Sequence, residues 1–278
     1  MKCYDCPRAC GVDRDVKLGV CHGGRYARIA EVIDDFEYEE PCLGTVTAVF
    51  FGGCSLGCSY CQNRKISRGV AGEEYDDAAL AGVLSGAKNP LDLVTPSHYL
   101  GAIERAYGIC GKTERVIYNT SGYETIDAVR RASEFTDVFL TDYKYADRET
   151  GAAFSRAPDY CDTAIRAVAE MRRRVRDEWR EENGKKLLVR GLIVRHLVLP
   201  GRVKNSLAAI DRLADTVGTD TVLSLMSQFT PNGIGEPRVP LNKIEYKIVV
   251  EHAIKRGFET GYIQDFSSAS AKYTPKFN

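Results

Sequence analysis

The sequence lacks a long apolar segment and an excess of charge of either sign. Lys plus Arg and Asp plus Glu both number 38 among 278 residues, so net charge gives no reason to expect DNA, RNA or an anionic membrane as partner. No stretch approaches the roughly 18 to 20 continuous apolar residues of a membrane span. The first residues, MKCYDCPRAC, lack the apolar core of a signal peptide. We therefore expect a cytoplasmic protein with no nucleic-acid or membrane partner.

Cysteine, in contrast, is abundant in this sequence. Ten cysteines in a chain expected to be cytoplasmic are more typical of metal ligands or reactive thiols than of a disulfide framework. Seven of them fall into two blocks, and three are isolated: Cys42, Cys110 and Cys161. Because an isolated cysteine usually packs as a small apolar residue, we expect the two blocks to carry the chemistry.

Short apolar runs alternate with segments of helical periodicity along most of the chain. Six runs rich in β-branched and aromatic residues predict buried strands at 45–53, 91–96, 115–122, 138–145, 191–201 and 221–231. Helical spacing of apolar residues predicts helices at 97–109, 123–135, 162–182, 203–217 and 241–257. Repeated strand–helix units indicate an α/β fold with a parallel sheet and right-handed crossovers. Six units fit an open partial barrel, and periodicity alone also allows a flat, doubly wound sheet.

The chain shows no internal repeat, low-complexity tract or long linker that would indicate a second large domain. We expect an N-terminal cysteine-rich, metal-binding appendage over residues 1–44 and a barrel over residues 45–278. In such barrels the reacting groups lie at the carboxyl ends of the strands. Polar segments follow the predicted strands (TPSH, NTSG, DYK, RH and SQFTP), so we expect the active site at that rim.

The segment GGCSLGCSYCQN, residues 52–63, is named here the cysteine loop. Its C-x3-C-x2-C spacing comes directly after the first predicted strand. Three thiolates on one loop can hold three corners of a 4Fe-4S cluster and leave the fourth iron without a protein ligand. Structural zinc, the alternative, almost always takes four ligands, and no fourth candidate follows Cys61 at ribbon spacing. The loop therefore predicts a catalytic 4Fe-4S cluster on Cys54, Cys58 and Cys61.

This spacing, with Tyr60 before the last cysteine, resembles that of the radical S-adenosylmethionine (SAM) superfamily. The segments LVTPSHY, YNTSGYE, TDYKYAD, APDY, GLIVRHLVLPG and SLMSQFTP look like an uncharacterised branch related to pyruvate formate-lyase activating enzyme. The resemblance implies a partial (β/α)6 barrel in which SAM binds the open iron. It implies an oxidoreductase that reductively cleaves SAM to methionine and a 5′-deoxyadenosyl radical, which abstracts hydrogen from a substrate.

The resemblance names no substrate. It implies a one-electron donor such as flavodoxin or ferredoxin and includes a glycyl radical enzyme among the candidate protein substrates. Many activating enzymes carry Gly-Gly-Glu after the second strand, whereas this chain has Thr95, Pro96 and Ser97, a departure that weakens the transfer of substrate class. A non-catalytic iron–sulfur or zinc scaffold that binds a partner is the alternative function.

The resemblance also implies contacts to SAM from two strands. Asp142 and Lys144 are two residues apart and share a face of their strand. They match an Asp-x-Lys that helps to bind SAM, with Lys144 on the methionine carboxylate; a core salt bridge is the alternative. Arg195 matches an Arg that precedes Val-Pro-Gly in the activating enzyme and is a candidate SAM or carboxylate contact. His196 must face the opposite way, as a core or a site residue.

Further SAM contacts are implied at two turns. Asn119 and Thr120 match a turn near the ribose and a bound cation, although they can equally form a turn in which Gly122 has a positive φ. Thr95 is a candidate contact for the SAM amino group through its backbone carbonyl. It can also cap a helix whose first turn contains Pro96.

The N-terminal segment CYDCPRACGVDRDVKLGVC, residues 3–21, is named here the N-terminal cysteine block. Its four thiols, with spacings x2, x3 and x10, can close a tetrahedral zinc site or hold a second, fully ligated 4Fe-4S cluster. We favour zinc, and a disulfide-bonded or unligated segment is the alternative. The predicted ligands are Cys3, Cys6, Cys10 and Cys21.

Overall fold

The computed structural model describes residues 2–112, 114–231 and 237–266. The strands within these ranges are β1 Ala27–Phe36, β2 Val46–Phe51, β3 Glu73–Tyr75, β4 Leu91–Val94, β5 Val116–Thr120, β6 Val138–Asp142, β7 Glu178–Glu182, β8 Lys185–Leu197, β9 Val222–Met226 and β10 Gly261–Ile263. The α-helices are α1 Arg64–Ser67, α2 Asp77–Ser85, α3 Leu100–Cys110, α4 Ile126–Ala132, α5 Arg148–Ser155, α6 Tyr160–Arg174, α7 Val203–Val217 and α8 Lys243–Arg256. Short 3-10 turns occupy Pro41–Leu43 and Ser97–Tyr99.

These strands belong to one mixed sheet in the order β10-β9-β8-β6-β5-β4-β2-β1-β3, and β7 pairs with β8 off this path. All neighbours from β10 to β2 run parallel, whereas β1 and β3 are antiparallel additions at one edge. All six predicted strands are present as neighbours in this parallel part. The predicted α/β fold with a mostly parallel sheet is therefore confirmed. Within the described ranges, no helix has the length and apolar content needed to cross a bilayer.

The predicted helix over residues 162–182 is wrong in its second half. Helix α6 ends at Arg174, and Glu178–Glu182 form β7, which is antiparallel to β8. Between the two strands, Asn183 and Gly184 have φ values of 51° and 73°, the left-handed conformation that a two-residue hairpin turn requires. Asn-Gly is the strongest short-range hairpin signal, and here it outweighs helical periodicity in a charged segment.

The parallel strands present two faces, because successive side chains point to opposite sides of a sheet. One face packs against the helices and contributes to the larger core with Leu93, Tyr118, Phe139, Val194 and Leu225. The other face forms a second core with Ala48, Ile117, Leu140, Ile193 and Val222. The strand register aligns this second face across the sheet: Asp142 pairs with Arg195, and Arg195 pairs with Ser224. Polar residues of this face therefore meet near the carboxyl ends of the strands.

The N-terminal residues 2–24 contain no regular helix or strand apart from an isolated bridge between Lys2 and Asp13. Backbone hydrogen bonds from Cys3 to Val12 (2.9 Å) and from Gly11 to Cys3 (3.1 Å) fold this segment on itself. Strand β1 then pairs with β2, so the sheet begins before residue 44. The division into domains at residue 44 stays a prediction.

Candidate active site

A cavity of about 420 Å³ lies at the carboxyl ends of the parallel strands. The last residue of β1 and the segment after it, residues 36–39, form part of its wall, and the cysteine loop forms another part. Each of the six predicted strands contributes to the wall, through Phe51, Val94, Asn119, Asp142, Arg195 and Met226. Polar strand ends identified in the sequence thus line one cavity.

The three thiols of the cysteine loop line this cavity. Cys54 and Cys61 are half-buried and Cys58 is buried. Each sulfur accepts a hydrogen bond: from the Leu56 N–H to Cys54 (3.4 Å), from the Ser155 hydroxyl to Cys58 (2.9 Å) and from the Ser67 hydroxyl to Cys61 (3.4 Å). Hydrogen bonds to ligand sulfurs are among the protein's means of tuning an iron–sulfur cluster.

The thiols of this loop are also coupled electrostatically. Burial, together with the neighbouring Cys58 and Cys61, raises the pKa of Cys54 to about 12. Burial likewise raises the pKa of Cys61, again with a contribution from Cys58. Three thiolates this close need a compensating positive charge, which a bound metal centre supplies when it deprotonates its ligands.

This donor set fits a cluster held by three cysteines. No group of three His, Cys, Asp or Glu side chains within the described residues already surrounds a common point as metal ligands. The fit therefore rests on donor chemistry: three soft thiol donors, separated on one loop, face the same cavity. A fourth cysteine does not line this cavity, as expected for a cluster with one open iron rather than for closed structural zinc.

In the wall of the same cavity, Asp142 lies between two basic side chains. Its carboxylate accepts hydrogen bonds from Lys144 Nζ and, at 2.8 Å, from Arg195 Nε. Burial alone would raise the pKa of Asp142, but the two cations hold it below its usual value. All three side chains line the cavity. The structure thus brings together Asp142, Lys144 and Arg195, the predicted SAM contacts on these two strands. The Asp142–Lys144 salt bridge of the alternative interpretation is present as well.

Arg195 and His196 face opposite sides of the sheet. His196 is fully buried, with Nδ1 at 2.7 Å from the Tyr143 carbonyl oxygen and Nε2 at 2.9 Å from the Ser206 hydroxyl. Burial lowers the pKa of His196. Of the two neighbours, Arg195 is the one in the cavity wall, and His196 belongs to the helix-facing core.

Asn119 connects Arg195 to residues that the sequence analysis did not identify. Its Oδ1 accepts a hydrogen bond from Arg195 Nη2 (2.7 Å), and its Nδ2 donates to the Tyr38 hydroxyl (3.0 Å) and to Asp92 (3.2 Å). Tyr38 in turn donates to Asp92. Burial raises the pKa of Asp92 to about 6 despite these hydrogen bonds. Glu40 is another missed acid: it is buried, its pKa is raised by burial, and it accepts a hydrogen bond from Ser224 (2.6 Å).

Thr95 and Thr120 also line the cavity. Thr95 has a φ of 61°, a left-handed conformation that is rare for a β-branched residue and is typical of strained functional sites. The 3-10 turn that follows has Pro96 at its N-cap and no side-chain cap, so Thr95 does not cap it. Gly122 has the expected positive φ, 76°, and a Cβ there would lie 2.2 Å from the Asp142 carbonyl oxygen.

Glu124 is buried behind this rim. It accepts hydrogen bonds from the hydroxyls of Ser97 and Thr120 through Oε1, whereas Oε2 has no hydrogen-bond partner. Burial raises the pKa of Glu124 to about 7, from a usual value of 4.5. The folded protein therefore holds a proton on Glu124 at pH values where the unfolded chain has released it.

We expect Glu124→Gln to remove part of the pH dependence of stability. The contribution of a carboxyl with a raised pKa is complete below pH 4.5 and is lost as the pH rises through about 7. The free energy of unfolding of the variant minus that of the wild type should rise by about 2 to 3 kcal/mol from pH 5 to pH 8. Denaturant titrations at both pH values measure this, with the exposed Glu74→Gln as the control. An equal difference from wild type at both pH values would contradict the prediction.

The N-terminal cysteine block brings its thiols close together beside the cysteine loop. Cys3, Cys6 and Cys21 are buried and Cys10 is half-buried. A Cβ at Gly19 would lie 3.2 Å from the Cys21 sulfur and 3.7 Å from that of Cys10. Burial, together with nearby Cys21 and Cys3, raises the pKa of Cys6 to about 12. All ten cysteines of the chain lie in the described ranges, and each is a free thiol.

Comparison with known proteins agrees with this architecture. No protein-family model matches the chain. An uncharacterised protein of Methanocaldococcus jannaschii is 24% identical over 248 residues, which cover 82% of this chain and 66% of that relative. The chain thus spans about two thirds of the length of the curated relative it matches. A radical SAM methyltransferase from Sphaerobacter thermophilus superposes with a TM-score of 0.53 at 12% identity, covering 81% of this chain and 69% of that chain. The fold is shared with a radical SAM enzyme.

Proposed function

We propose that this protein is a radical SAM enzyme that carries a 4Fe-4S cluster on Cys54, Cys58 and Cys61. The observation that carries the proposal is the shared cavity: three thiols and the Asp142–Lys144–Arg195 network line the same cavity at the carboxyl ends of parallel strands. The fold shared with a radical SAM methyltransferase supports the same reaction class. The branch related to pyruvate formate-lyase activating enzyme is the finer part of the proposal and rests on the sequence motifs.

We also infer that the sheet is curved into a partial (β/α)6 barrel. All six predicted strands contribute side chains to the wall of one cavity of about 420 Å³. In a flat sheet, six neighbouring strands about 4.8 Å apart would spread their ends over roughly 24 Å, too far for one cavity of this size. Convergence of the strand ends therefore favours curvature, as in barrels whose sites lie at this rim.

The residues of the cavity can bind and orient SAM. When bound, the cluster would supply the electron that cleaves SAM to methionine and a 5′-deoxyadenosyl radical. Lys144 can donate a charge-assisted hydrogen bond to the methionine carboxylate, and Arg195 can provide a second cationic donor. Asp142 orients both basic groups through its two oxygens. Thr95, Asn119 and Thr120 form the wall where the resemblance implies the amino group and the ribose.

The charge of the cavity suits a cationic cofactor. Half-buried Asp142 and the buried acids Asp92 and Glu40 lie near two basic groups, Lys144 and Arg195, and the pKa values of Asp92 and Glu40 are raised by burial. SAM carries a sulfonium and an ammonium against one carboxylate, so its net charge is positive. Binding it would offset the excess of acidic groups around the cavity.

The remaining parts of the proposal concern the reaction and its setting. We propose that the radical abstracts hydrogen from a substrate that the chain does not name, with a glycine of a partner enzyme among the candidates. Electrons would come from a one-electron donor such as flavodoxin or ferredoxin in the cytoplasm. Methyl transfer is a property of the S. thermophilus enzyme and would be recognised here by its own product, S-adenosylhomocysteine.

Anaerobic reconstitution with iron and sulfide tests the proposal. We expect about one 4Fe-4S cluster on the cysteine loop and, with dithionite and SAM, formation of 5′-deoxyadenosine and methionine measured by liquid chromatography and mass spectrometry. A protein that binds iron but never cleaves SAM would instead support the non-catalytic scaffold.

For the N-terminal cysteine block we propose a closed metal site on Cys3, Cys6, Cys10 and Cys21, with zinc favoured over a second 4Fe-4S cluster. We expect a Cys6→Ala, Cys10→Ala double variant to lose about one zinc, or one cluster's iron, per chain. Elemental analysis of this variant and of the Cys54, Cys58, Cys61 triple variant measures which metal each site holds. Unchanged zinc and iron in the double variant would refute the N-terminal site.

A further inference from the structure

The N-terminal cysteine block is in direct contact with the cysteine loop. The backbone N–H of Cys54 donates a hydrogen bond of 3.1 Å to the carbonyl oxygen of Cys21. Gly53 has a φ of 86°, and a Cβ there would lie only 2.2 Å from the same carbonyl oxygen. A glycine is therefore needed for the two segments to approach this closely. One hydrogen bond thus connects a residue of each predicted metal site.

Arg8, between Cys6 and Cys10 in the block, makes a second and more extensive connection. Its Nε donates to the Ser55 carbonyl oxygen at 2.8 Å, within the cysteine loop. Its Nη1 and Nη2 donate to the carbonyl oxygens of Arg156 (2.6 Å) and Ser155 (3.0 Å) at the end of α5. One guanidinium group therefore holds the block, the loop and the end of a helix together.

The end of α5 contacts the loop on its other side. The Ser155 hydroxyl donates a hydrogen bond of 2.9 Å to the Cys58 sulfur and lies 2.7 Å from the Tyr145 hydroxyl. The Ser59 N–H donates to the Phe154 carbonyl oxygen at 2.8 Å. Arg8 thus fixes the main chain at Ser155, whose side chain binds a predicted cluster ligand.

We propose that Arg8 is a positioning residue for the cysteine loop: it fixes Ser55 and Ser155 so that Cys54 and Cys58 keep their places in the cavity wall. This inference deepens the proposed function, since it concerns the ligands of the proposed cluster. A guanidinium suits the task because its planar array of donors reaches three carbonyl oxygens at once, whereas an ammonium group on a flexible chain has no fixed fork. Without Arg8, the cysteine loop loses the hydrogen bond from the guanidinium group to Ser55 and opens more often.

Thiol alkylation of the cluster-free protein, residues 1–278, tests this proposal without requiring SAM cleavage. Iodoacetamide is added anaerobically, and mass spectrometry follows modification of the peptide with Cys54, Cys58 and Cys61. In Arg8→Gln we expect Cys58, the buried thiol of the loop, to react about tenfold faster than in wild type, because alkylation of a buried thiol reports the open population of the loop. Arg25→Gln is the matched control: Arg25 lies just after the block in an exposed ion pair with Asp15 (2.9 Å).

Cys161, buried in α6, reports global unfolding in the same sample. We expect its alkylation rate to be the same in wild type, Arg8→Gln and Arg25→Gln. Equal loop rates in Arg8→Gln and Arg25→Gln would overturn the proposal, as would a parallel increase at Cys161, which would make Arg8 a general stability residue.

Arg8→Lys gives a second test should the Gln variant not fold. Lysine keeps the positive charge but lacks the planar array of donors, so the thiols of the cysteine loop should be alkylated faster than in wild type while Cys161 is not. Alkylation of the loop at the wild-type rate in Arg8→Lys would overturn the proposal. A wild type that fails to cleave SAM when reconstituted would refute the proposed function and leave the alkylation result unaffected.

Discussion

The Cys58→Ala variant is expected to form no 5′-deoxyadenosine from SAM and dithionite. Cys58 is one of only three thiols in the cavity wall, so its loss leaves two protein ligands for a cluster that needs three. Removing a ligand abolishes the site, whereas removing a supporting hydrogen bond only weakens or retunes it. Activity should therefore fall below detection rather than by a modest factor, and equivalent variants of Cys54 and Cys61 should behave alike.

The assay measures 5′-deoxyadenosine after anaerobic reconstitution, together with iron content and the visible absorption of the cluster. Cys110→Ala is the matched control, because Cys110 is a half-buried thiol at the end of α3 that does not line the cavity. It should retain wild-type product formation. Product from Cys58→Ala at the rate of the control would mean that the ligand assignment is wrong.

The central strands could be predicted from sequence, and the edge strands could not, for a physical reason. Parallel strands are buried on both faces and give nearly continuous apolar runs, as in VTAVFF of β2. Strand β3 has three residues, two of them exposed Glu, and β10 also has three. Such short segments lack enough residues to show a period, and their pairing depends on neighbours distant in the chain.

Part of the cavity followed from side-chain alternation. Asp142 and Lys144 were predicted to share a face, and both line the cavity, whereas Tyr143 lies fully buried in the core against the helices. The same rule applied to LDLV of β4 would have identified Asp92, since a charged residue within a buried run is itself a signal. Local pattern was thus sufficient for residues within predicted strands.

Other site residues had no local signal. Tyr38 and Glu40 lie in the connection between β1 and β2, where no periodicity predicts which way a side chain points. Tyr38 lines the cavity, and Glu40 packs behind the wall against Ser224. Arg8 contacts Arg156 across 148 residues of sequence. Such contacts arise from the packing of whole elements, so a single sequence shows the residue types but not which of them are in contact.

The Lys144→Ala variant should bind SAM roughly ten- to a hundredfold more weakly and remain folded. A charge-assisted hydrogen bond contributes about 1.5 to 3 kcal/mol, which corresponds to that range of affinity. Folding should tolerate the change because Asp142 keeps its second partner, Arg195, at 2.8 Å, so the truncation leaves no buried carboxylate unpaired.

Anaerobic equilibrium titration with SAM measures the affinity, and thermal denaturation of the same preparation measures stability. Lys88→Ala serves as the control for the loss of a lysine, since Lys88 is three-quarters exposed in an ion pair with Asp34 and should affect neither quantity. Unchanged SAM affinity together with a strongly lowered melting temperature in Lys144→Ala would favour the core salt bridge instead. Weaker binding with the melting temperature retained would favour the SAM contact over the core salt bridge, because the fold would then not depend on Lys144.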